Sequence, residues 1–135
     1  MSLDFEGKVA IVTGSGGGIG KGYALELAKR GAKVVVNDLG GAVDGSGGSL
    51  SAAETVVQEI EAAGGEAIAN GANVCSEDDV KNMVKETMEK WGRVDILINN
   101  AGILRDKSFA KMEWSDFVTV VNVHLLGSAL CAHTV

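Results

Sequence analysis

Four short apolar runs rich in β-branched residues recur along the chain, and none shows the alternating polar positions of a half-exposed strand. They occupy residues 8–12, 33–36, 66–69 and 94–98. Continuous apolar runs of this length are typical of strands that are buried on both faces of a sheet. The pattern therefore predicts four buried strands.

Between these runs the apolar residues are spaced three and four apart, which is the spacing of an amphipathic helix. The predicted helices run from about Ile19 to Gly31, from Ser51 to Ala63, from Ser76 to Gly92 and from near Trp114 toward the last residue. Ser76 and Asp79 have the spacing of a capping box at the start of the third helix. The chain thus alternates strand and helix four times.

Regular alternation of strands and helices predicts a parallel sheet, because each crossover must return to the same edge of the strands. The fold class is α/β, a doubly wound parallel sheet of the Rossmann type. Ligands of such sheets bind beyond the carboxyl ends of the strands. We therefore look for function in the loops that follow Val12, Asp38, Asn70 and Ile98.

Length and composition narrow the class of protein. A chain of 135 residues with 46% hydrophobic content fits one domain, and its formal charge of -6 disfavours nucleic acid and anionic membrane surfaces as partners. No uninterrupted apolar run reaches the ~20 residues that span a bilayer. Cys75 and Cys131 lie far apart without nearby ligand motifs, which predicts free thiols and no metal site. The glycine-rich stretch 40–48 predicts a mobile loop.

The loop after the first strand carries the strongest chemical signal, the sequence TGSGGGIG at Thr13 to Gly20. Glycines between a strand and a helix let the backbone approach a pyrophosphate, whose charge is bound by the free N–H groups at the helix start. A P-loop is the rival interpretation. It fails because Ser15 stands where its first glycine belongs and Gly22 where its magnesium-binding hydroxyl belongs.

Asp38 follows the second strand, about twenty residues beyond the glycines. A carboxylate at this place accepts hydrogen bonds from the adenosine ribose hydroxyls and repels a 2′-phosphate. The residue therefore favours NAD over NADP. The alternative interpretation is a solvated carboxylate in a turn.

The glycine loop and the segment Asn99-Asn100-Ala101-Gly102 together resemble the short-chain dehydrogenase/reductase family. This resemblance implies that the glycine loop lines the pyrophosphate, that the residues after the third strand flank the adenine, and that those after the fourth border the cofactor. The implied cofactor-binding residues, together with Asp38, are Gly14, Ser15, Gly18, Ile19, Gly20, Asn73, Val74, Asn100, Ala101 and Gly102. Asn73 departs from the aspartate that is usual in the family at that position.

Three further segments, 37–50, 102–109 and 123–128, resemble the dehydrogenase domains of the multifunctional enzymes of fatty-acid β-oxidation. Those domains oxidise (3R)-hydroxyacyl-CoA to 3-ketoacyl-CoA. The resemblance implies an NAD-dependent oxidoreductase that acts on a small molecule such as an acyl-CoA. We also expect a homo-oligomer at full length. The polar N-terminus at Met1 to Lys8 is not signal-like, so we expect an intracellular location, either cytoplasmic or peroxisomal.

His124 occupies a position where most of the family carries an asparagine that organises a proton-relay water. We predict that His124 is a catalytic residue, with a core histidine bonded to a backbone carbonyl as the alternative. Helical spacing places it on one face with Phe117, Val120, Val121 and Cys131. The nearby Asn122 is two residues away, about 200° around a helix, and faces another surface.

The catalytic tyrosine and lysine of the family have no counterpart in the sequence. Tyr23 is the only tyrosine and lies in the first helix, and no Tyr-x-x-x-Lys motif occurs. We therefore expect residues 1–135 to be the NAD-binding N-terminal half of a single dehydrogenase domain, without its catalytic half and inactive alone. The alternative is a non-catalytic module that binds and senses NAD.

Overall fold

A computed structural model describes residues 3–40 and 51–135, so that residues 41–48 of the predicted mobile loop lie outside the described part of the chain. The four predicted strands form one parallel sheet in the order β3-β2-β1-β4. Their bounds are β1 Val9–Val12, β2 Lys33–Asn37, β3 Glu66–Asn70 and β4 Ile96–Ile98. The predicted fold class is confirmed.

The predicted helices are present with ends that differ by one or two residues. They are α1 Gly18–Lys29, α2 Ser51–Ala62, α3 Glu77–Trp91, α4 Trp114–Val121 and α5 Gly127–Thr134. A 3₁₀ turn at Phe109–Lys111 and a π-helical turn at Asn122–Leu126 were not predicted. The π turn joins α4 to α5, so residues 114–134 form one helical rod.

Each face of the sheet has its own apolar core. On one face, α1 and α2 cover alternate residues of the central strands, among them Val12 and Val36. On the other face, α3 and α5 cover the intervening residues Ile11 and Val35. Because side chains of a strand point alternately to opposite faces, β1 is apolar at every position and β2 is apolar at its three central positions.

The prediction that all four strands are buried on both faces is wrong for the edge strands. β1 is buried throughout, whereas all three residues of β4 and most of β3 are only half-buried. These two strands lie at the edges of the described sheet and have one neighbouring strand each. Apolar composition alone does not distinguish an edge from a central strand.

The start of α3 uses the predicted capping serine in a modified way. The Ser76 hydroxyl accepts a hydrogen bond from the Asp79 N–H at 3.2 Å, as in a capping box. The Asp79 carboxylate, however, accepts from the Asn73 N–H at 3.0 Å and not from the cap residue. The cap therefore also fixes the loop that follows β3.

The rod at Trp114–Thr134 is 21 residues long, with a mean hydropathy of 1.4 in its most apolar stretch. By length and composition it is apolar enough to cross a membrane, which corrects the expectation that no such segment exists. The expectation considered only uninterrupted apolar residues. In this helix, scattered Ser, Thr and Asn residues lower the mean hydropathy but leave it high enough for a membrane span. Only 11% of that apolar stretch is buried, and its buried residues are Gly127 and Cys131, the second of which packs against the sheet.

Candidate functional site

A cleft of about 470 Å³ opens where the carboxyl ends of the strands meet. It brings together seven of the predicted cofactor-binding residues from all four loops. These are Gly14, Asp38, Asn73, Val74, Asn100, Ala101 and Gly102. The cleft lies beside the junction of β1 and β4, where the order of the strands reverses, as expected for a doubly wound sheet.

Two glycines of the first loop are required by close packing. Gly14 has φ +63°, and a Cβ there would lie 2.8 Å from the Ala101 Cα atom. A Cβ on Gly20 would lie 2.5 Å from the Gly14 carbonyl oxygen and would also collide with the Asn100 amide nitrogen. Glycine thus lets the start of α1 pack directly against both loops.

The next part of the loop faces open space. No atom lies within 4 Å of a Cβ built on Gly18, whose φ is +56°, and the Ile19 side chain is 70% exposed. The first turn of α1 contains no acidic residue that would repel an anion. The exposed backbone N–H groups of a helix start carry a partial positive charge and bind phosphate. The predicted residues Gly18 and Ile19 are therefore accessible to a pyrophosphate.

Ser15 departs from its predicted place in the site. Its side chain is fully buried, and its hydroxyl donates to the Val12 carbonyl oxygen at 2.7 Å. Its backbone N–H donates to the Asn37 carbonyl at 2.8 Å. Ser15 does not line the cleft, and its hydroxyl instead fixes the glycine loop to the ends of β1 and β2.

The Asp38 carboxylate lines the cleft and is held by two backbone donors. Its Oδ2 atom accepts from the Gly16 N–H at 2.8 Å, and its Oδ1 atom accepts from the Gly40 N–H at 2.6 Å. Each carboxylate oxygen has two acceptor positions, so one on each oxygen is left for further donors. The half-buried carboxylate is thus oriented before any ligand binds.

Thr13 is a functional residue that the sequence analysis missed. Its hydroxyl oxygen accepts from the N–H groups of Asn100 and Ala101 at 3.1 and 3.0 Å. The Asn100 side-chain amide in turn donates to the carbonyl oxygens of Thr13 and Gly14 at 3.2 and 3.0 Å. These four bonds join the first and fourth loops. The sequence signal that could have indicated this role is the position of Thr13 as the first residue of the glycine motif.

A second polar contact joins the loops after β2 and β3. The buried Asn37 side chain donates to the Asn70 side-chain oxygen and the Ala72 carbonyl, each at 3.0 Å. Asn73 and Val74 follow directly and line the cleft. The Asn73 side-chain oxygen accepts from the Cys75 N–H at 2.9 Å, which closes a local turn. Both predicted adenine-flanking residues therefore reach the cleft.

Further lining residues were not predicted. They are Thr119 of α4, Asn122 and Val123 of the π turn, Asn37 at the end of β2, and the loop residues Leu39, Ala72, Cys75 and Ile103. Burial raises the pKa of the Cys75 thiol, which therefore stays protonated near neutral pH. Within residues 3–40 and 51–135 no group of three metal-binding side chains comes together.

His124 lies next to this cleft and not in it. A Cβ on Gly102 would lie 2.5 Å from the His124 Cε1 atom, so the ring packs directly on that glycine. The His124 Nε2 atom is 3.0 Å from both the N and O atoms of Ile103. The ring, with Phe117 and Val120, lines a second cleft of about 280 Å³. Ile103 and its backbone separate the two clefts.

The predicted helical face of His124 is correct toward the N-terminus and wrong toward the C-terminus. Phe117 and Val120 line the same cleft as His124, whereas Val121 does not line it. Cys131 is fully buried against the sheet, while His124 is exposed. The π turn at 122–126 inserts one residue and so rotates everything after it by about 100°. His124 is exposed, yet it makes the backbone contact that the core-histidine alternative expects, so both interpretations of the residue stay predictions.

The residues of the main cleft fit a dinucleotide. The open glycine backbone offers donors to a pyrophosphate, and Asp38 offers oriented acceptors to ribose hydroxyls. The predicted adenine-flanking residues Asn73 and Val74 and the Asn100 to Gly102 segment also line the cleft. Seven of the predicted cofactor-binding residues line the cleft, Gly18 and Ile19 are exposed in the glycine loop, and Ser15 and Gly20 are buried and do not line the cleft.

Comparisons of sequence give a matching family model and several similar proteins. A family model described as short chain dehydrogenase matches residues 8–135. The chain is 59% identical over 128 residues to the peroxisomal multifunctional enzyme A of Dictyostelium discoideum, covering 95% of this chain and 28% of that protein. It is 54% identical over 126 residues to the peroxisomal hydratase-dehydrogenase-epimerase of Saccharomyces cerevisiae, covering 93% of this chain and 14% of that protein.

Solved structures have the same fold. A short chain dehydrogenase from Mycobacterium avium is 48% identical with a TM-score of 0.86, covering 96% of this chain and 44% of that one. A 7α-hydroxysteroid dehydrogenase in complex with NADH and 7-oxo glycochenodeoxycholic acid is 36% identical with a TM-score of 0.87, covering 98% and 48%. The chain thus spans less than half the length of each of these proteins. It belongs to the short-chain dehydrogenase family.

Proposed function

We propose that the protein carrying this chain is an NAD-dependent oxidoreductase that transfers a hydride between NAD and a hydroxyl or carbonyl substrate. Residues 1–135 supply its cofactor-binding half. The observation that carries the proposal is the orientation of Asp38, whose carboxylate is fixed by two backbone N–H groups beside an open glycine loop. The NADH bound to the 7α-hydroxysteroid dehydrogenase supports a nicotinamide dinucleotide in this fold.

The residues of the cleft have separate tasks in binding. The backbone of Gly18 and Ile19 binds the pyrophosphate, and Asp38 binds the adenosine ribose and rejects a 2′-phosphate. Asn73 and Val74 flank the adenine, while Asn100 to Gly102 border the nicotinamide side. NAD supplies the acceptor of the hydride. The chain itself holds the cofactor in place, and correct positioning of the reactants accounts for a large part of the barrier reduction in such reactions.

The proposed substrate is a (3R)-hydroxyacyl-CoA, which is oxidised to the 3-ketoacyl-CoA. The support is the 59% and 54% identity to two peroxisomal enzymes, one of which is named a hydratase-dehydrogenase-epimerase. The same names favour the peroxisome as the compartment. A homo-oligomer at full length remains part of the proposal.

Proton transfer requires groups outside the 135 residues. The family uses a tyrosine as general acid/base and a lysine four residues later, and the sequence contains no such pair. General acid/base help of this kind contributes about 10² to 10⁴ in rate. We therefore propose that residues 1–135 alone bind NAD but do not oxidise the substrate.

The test follows NADH formation by absorbance with (3R)-3-hydroxyacyl-CoA and its (3S) enantiomer. The complete gene product should oxidise the (3R) enantiomer with NAD⁺, whereas residues 1–135 alone should not. Activity of the short chain, after removal of host enzymes, would show that the catalytic groups are misassigned. No activity from either protein, with NAD still bound, would favour the alternative of a non-catalytic NAD-sensing module.

A further inference from the structure

We infer that Gly16 is a specificity-determining residue, because its backbone N–H and its missing side chain together set the position of the Asp38 carboxylate. The inference rests on the proposed NAD-binding function and deepens it. Gly16 does not line the cleft, yet it takes part in the choice between NAD and NADP.

The first part of the evidence is the hydrogen bond. The Gly16 N–H donates to the Asp38 Oδ2 atom at 2.8 Å, and the Gly40 N–H holds the other oxygen. A charge-assisted bond to a carboxylate is roughly twice as strong as a neutral one. The carboxylate therefore has one orientation, with its remaining acceptor positions directed by the glycine loop.

The second part is steric. A Cβ on Gly16 would lie 2.8 Å from the Asp38 Oδ2 atom and 2.9 Å from both its Cγ atom and the Ala52 Cβ atom. Because real Cβ atoms do not approach this closely, an alanine must push the carboxylate aside. Gly16 does not have a positive φ, so its backbone accepts alanine without strain.

Gly17 provides a matched control in the same loop. A Cβ on Gly17 meets no atom within 4 Å, and its φ of -169° is extended backbone that any residue adopts. Gly17→Ala adds the same methyl group to the adjacent residue without touching Asp38. It therefore crowds the loop equally for both dinucleotides and leaves their affinity ratio unchanged.

The two dinucleotides depend differently on Asp38. NAD gains hydrogen bonds from the ribose hydroxyls to the carboxylate, whereas the 2′-phosphate of NADP is repelled by it. A displaced carboxylate loses the hydrogen bonds and part of the repulsion. We expect Gly16→Ala to lower the ratio of NAD⁺ to NADP⁺ affinity about tenfold, chiefly through weaker NAD⁺ binding.

The experiment titrates NAD⁺ and NADP⁺ into the complete gene product by calorimetry, for wild type, Gly16→Ala, Gly17→Ala, Asp38→Ala and the double variant Gly16→Ala/Asp38→Ala. The ratio should fall in Gly16→Ala and stay at the wild-type value in Gly17→Ala. In the Asp38→Ala background, Gly16→Ala should have no further effect on the ratio, because the carboxylate it displaces is gone.

A further double variant separates the effect of the displaced carboxylate from any loss of folding. Ala52→Gly removes the other atom that a methyl group at position 16 would meet, so Gly16→Ala/Ala52→Gly leaves only the carboxylate to move. It should show the same lowered ratio with less loss of thermal stability than Gly16→Ala. The single variant Ala52→Gly should keep the wild-type ratio.

The outcomes separate this inference from the proposed function. An equal loss of both affinities in Gly16→Ala, or a wild-type ratio there while Asp38→Ala abolishes discrimination, would overturn the role of Gly16 alone. A wild-type protein that binds both dinucleotides equally, or neither, would overturn the proposed function and this inference with it.

Discussion

Asn100 donates two hydrogen bonds to Thr13, from its backbone N–H to the Thr13 hydroxyl oxygen at 3.1 Å and from its side-chain amide to the Thr13 carbonyl oxygen at 3.2 Å. Thr13 follows β1 and Asn100 follows β4, so the pair closes the sheet at the point where its strand order reverses. The glycine loop and the segment from Asn100 to Gly102 are thus two walls of one fixed cleft.

Loss of the Thr13 hydroxyl should loosen this closure. Thr13→Val keeps the shape of the side chain but leaves the Ala101 N–H without its acceptor, while the Asn100 N–H keeps only the Ile98 carbonyl oxygen. An unsatisfied buried donor costs about 1–3 kcal/mol, and because the Ala101 N–H is half-buried the free energy of unfolding should fall by about 1 kcal/mol. Denaturant unfolding measures it. Thr13→Ser keeps the hydroxyl and is the control, and equal stability of the two variants would contradict the role of the hydroxyl.

Asp95 fixes the start of β4 and makes the stability depend on pH. Its carboxylate accepts from the Nε and Nη2 atoms of Arg93, each at 2.7 Å, and from the Val9 N–H at 2.9 Å. The Arg93 guanidinium, followed by the Val9 N–H, holds the pKa of Asp95 below its usual value of 3.8. A carboxyl whose pKa is lower in the folded state stabilises the protein above its unfolded pKa, and this contribution disappears as the pH falls through the folded pKa.

Asp95→Asn should therefore destabilise the protein near neutral pH and lose this effect in acid. The amide still accepts from Val9 but no longer carries the charge that pairs with Arg93. Unfolding midpoints measured from about pH 6 to about pH 3 should show the gap between wild type and variant closing as the pH falls. A gap that stays constant across this range would contradict the assignment.

His124 gives a prediction that separates catalysis from packing. If the ring holds the relay water, His124→Ala in the complete gene product should lower kcat by about 10²-fold or more, within the range of general acid/base effects. NAD affinity should stay nearly unchanged, because the ring lies outside the cofactor cleft. His124→Asn, the residue that is usual in the family, should restore part of the turnover. Wild-type turnover in His124→Ala, with lowered stability, would remove the relay and leave packing on Gly102.

The fold and most of the cofactor cleft could be predicted from the sequence because they depend on local patterns. Apolar runs and helical spacing fix the order of elements, and that order fixes which loops meet. Asp38 and Asn100 follow strands, so the topology alone brings them to one edge of the sheet.

The remaining features depend on contacts that a linear pattern does not encode. Because of the π turn at 122–126, Cys131 does not share a helical face with His124. No residue type in that segment indicates that the helix contains one extra residue there. Ser15 was assigned by its place in the motif, yet its buried hydroxyl bonds the Val12 carbonyl. The half-exposure of β4 follows from its edge position and not from its apolar residues.

The proposed preference of this cleft for NAD over NADP is tested most directly by the Kd values of NAD⁺ and NADP⁺ for the complete gene product. We predict at least tenfold tighter binding of NAD⁺, a difference of about 1.4 kcal/mol that one carboxylate facing a phosphate can supply. Asp38→Ala should narrow the gap, chiefly by improving the binding of NADP⁺. Equal affinities of the wild-type protein for the two dinucleotides would contradict the account.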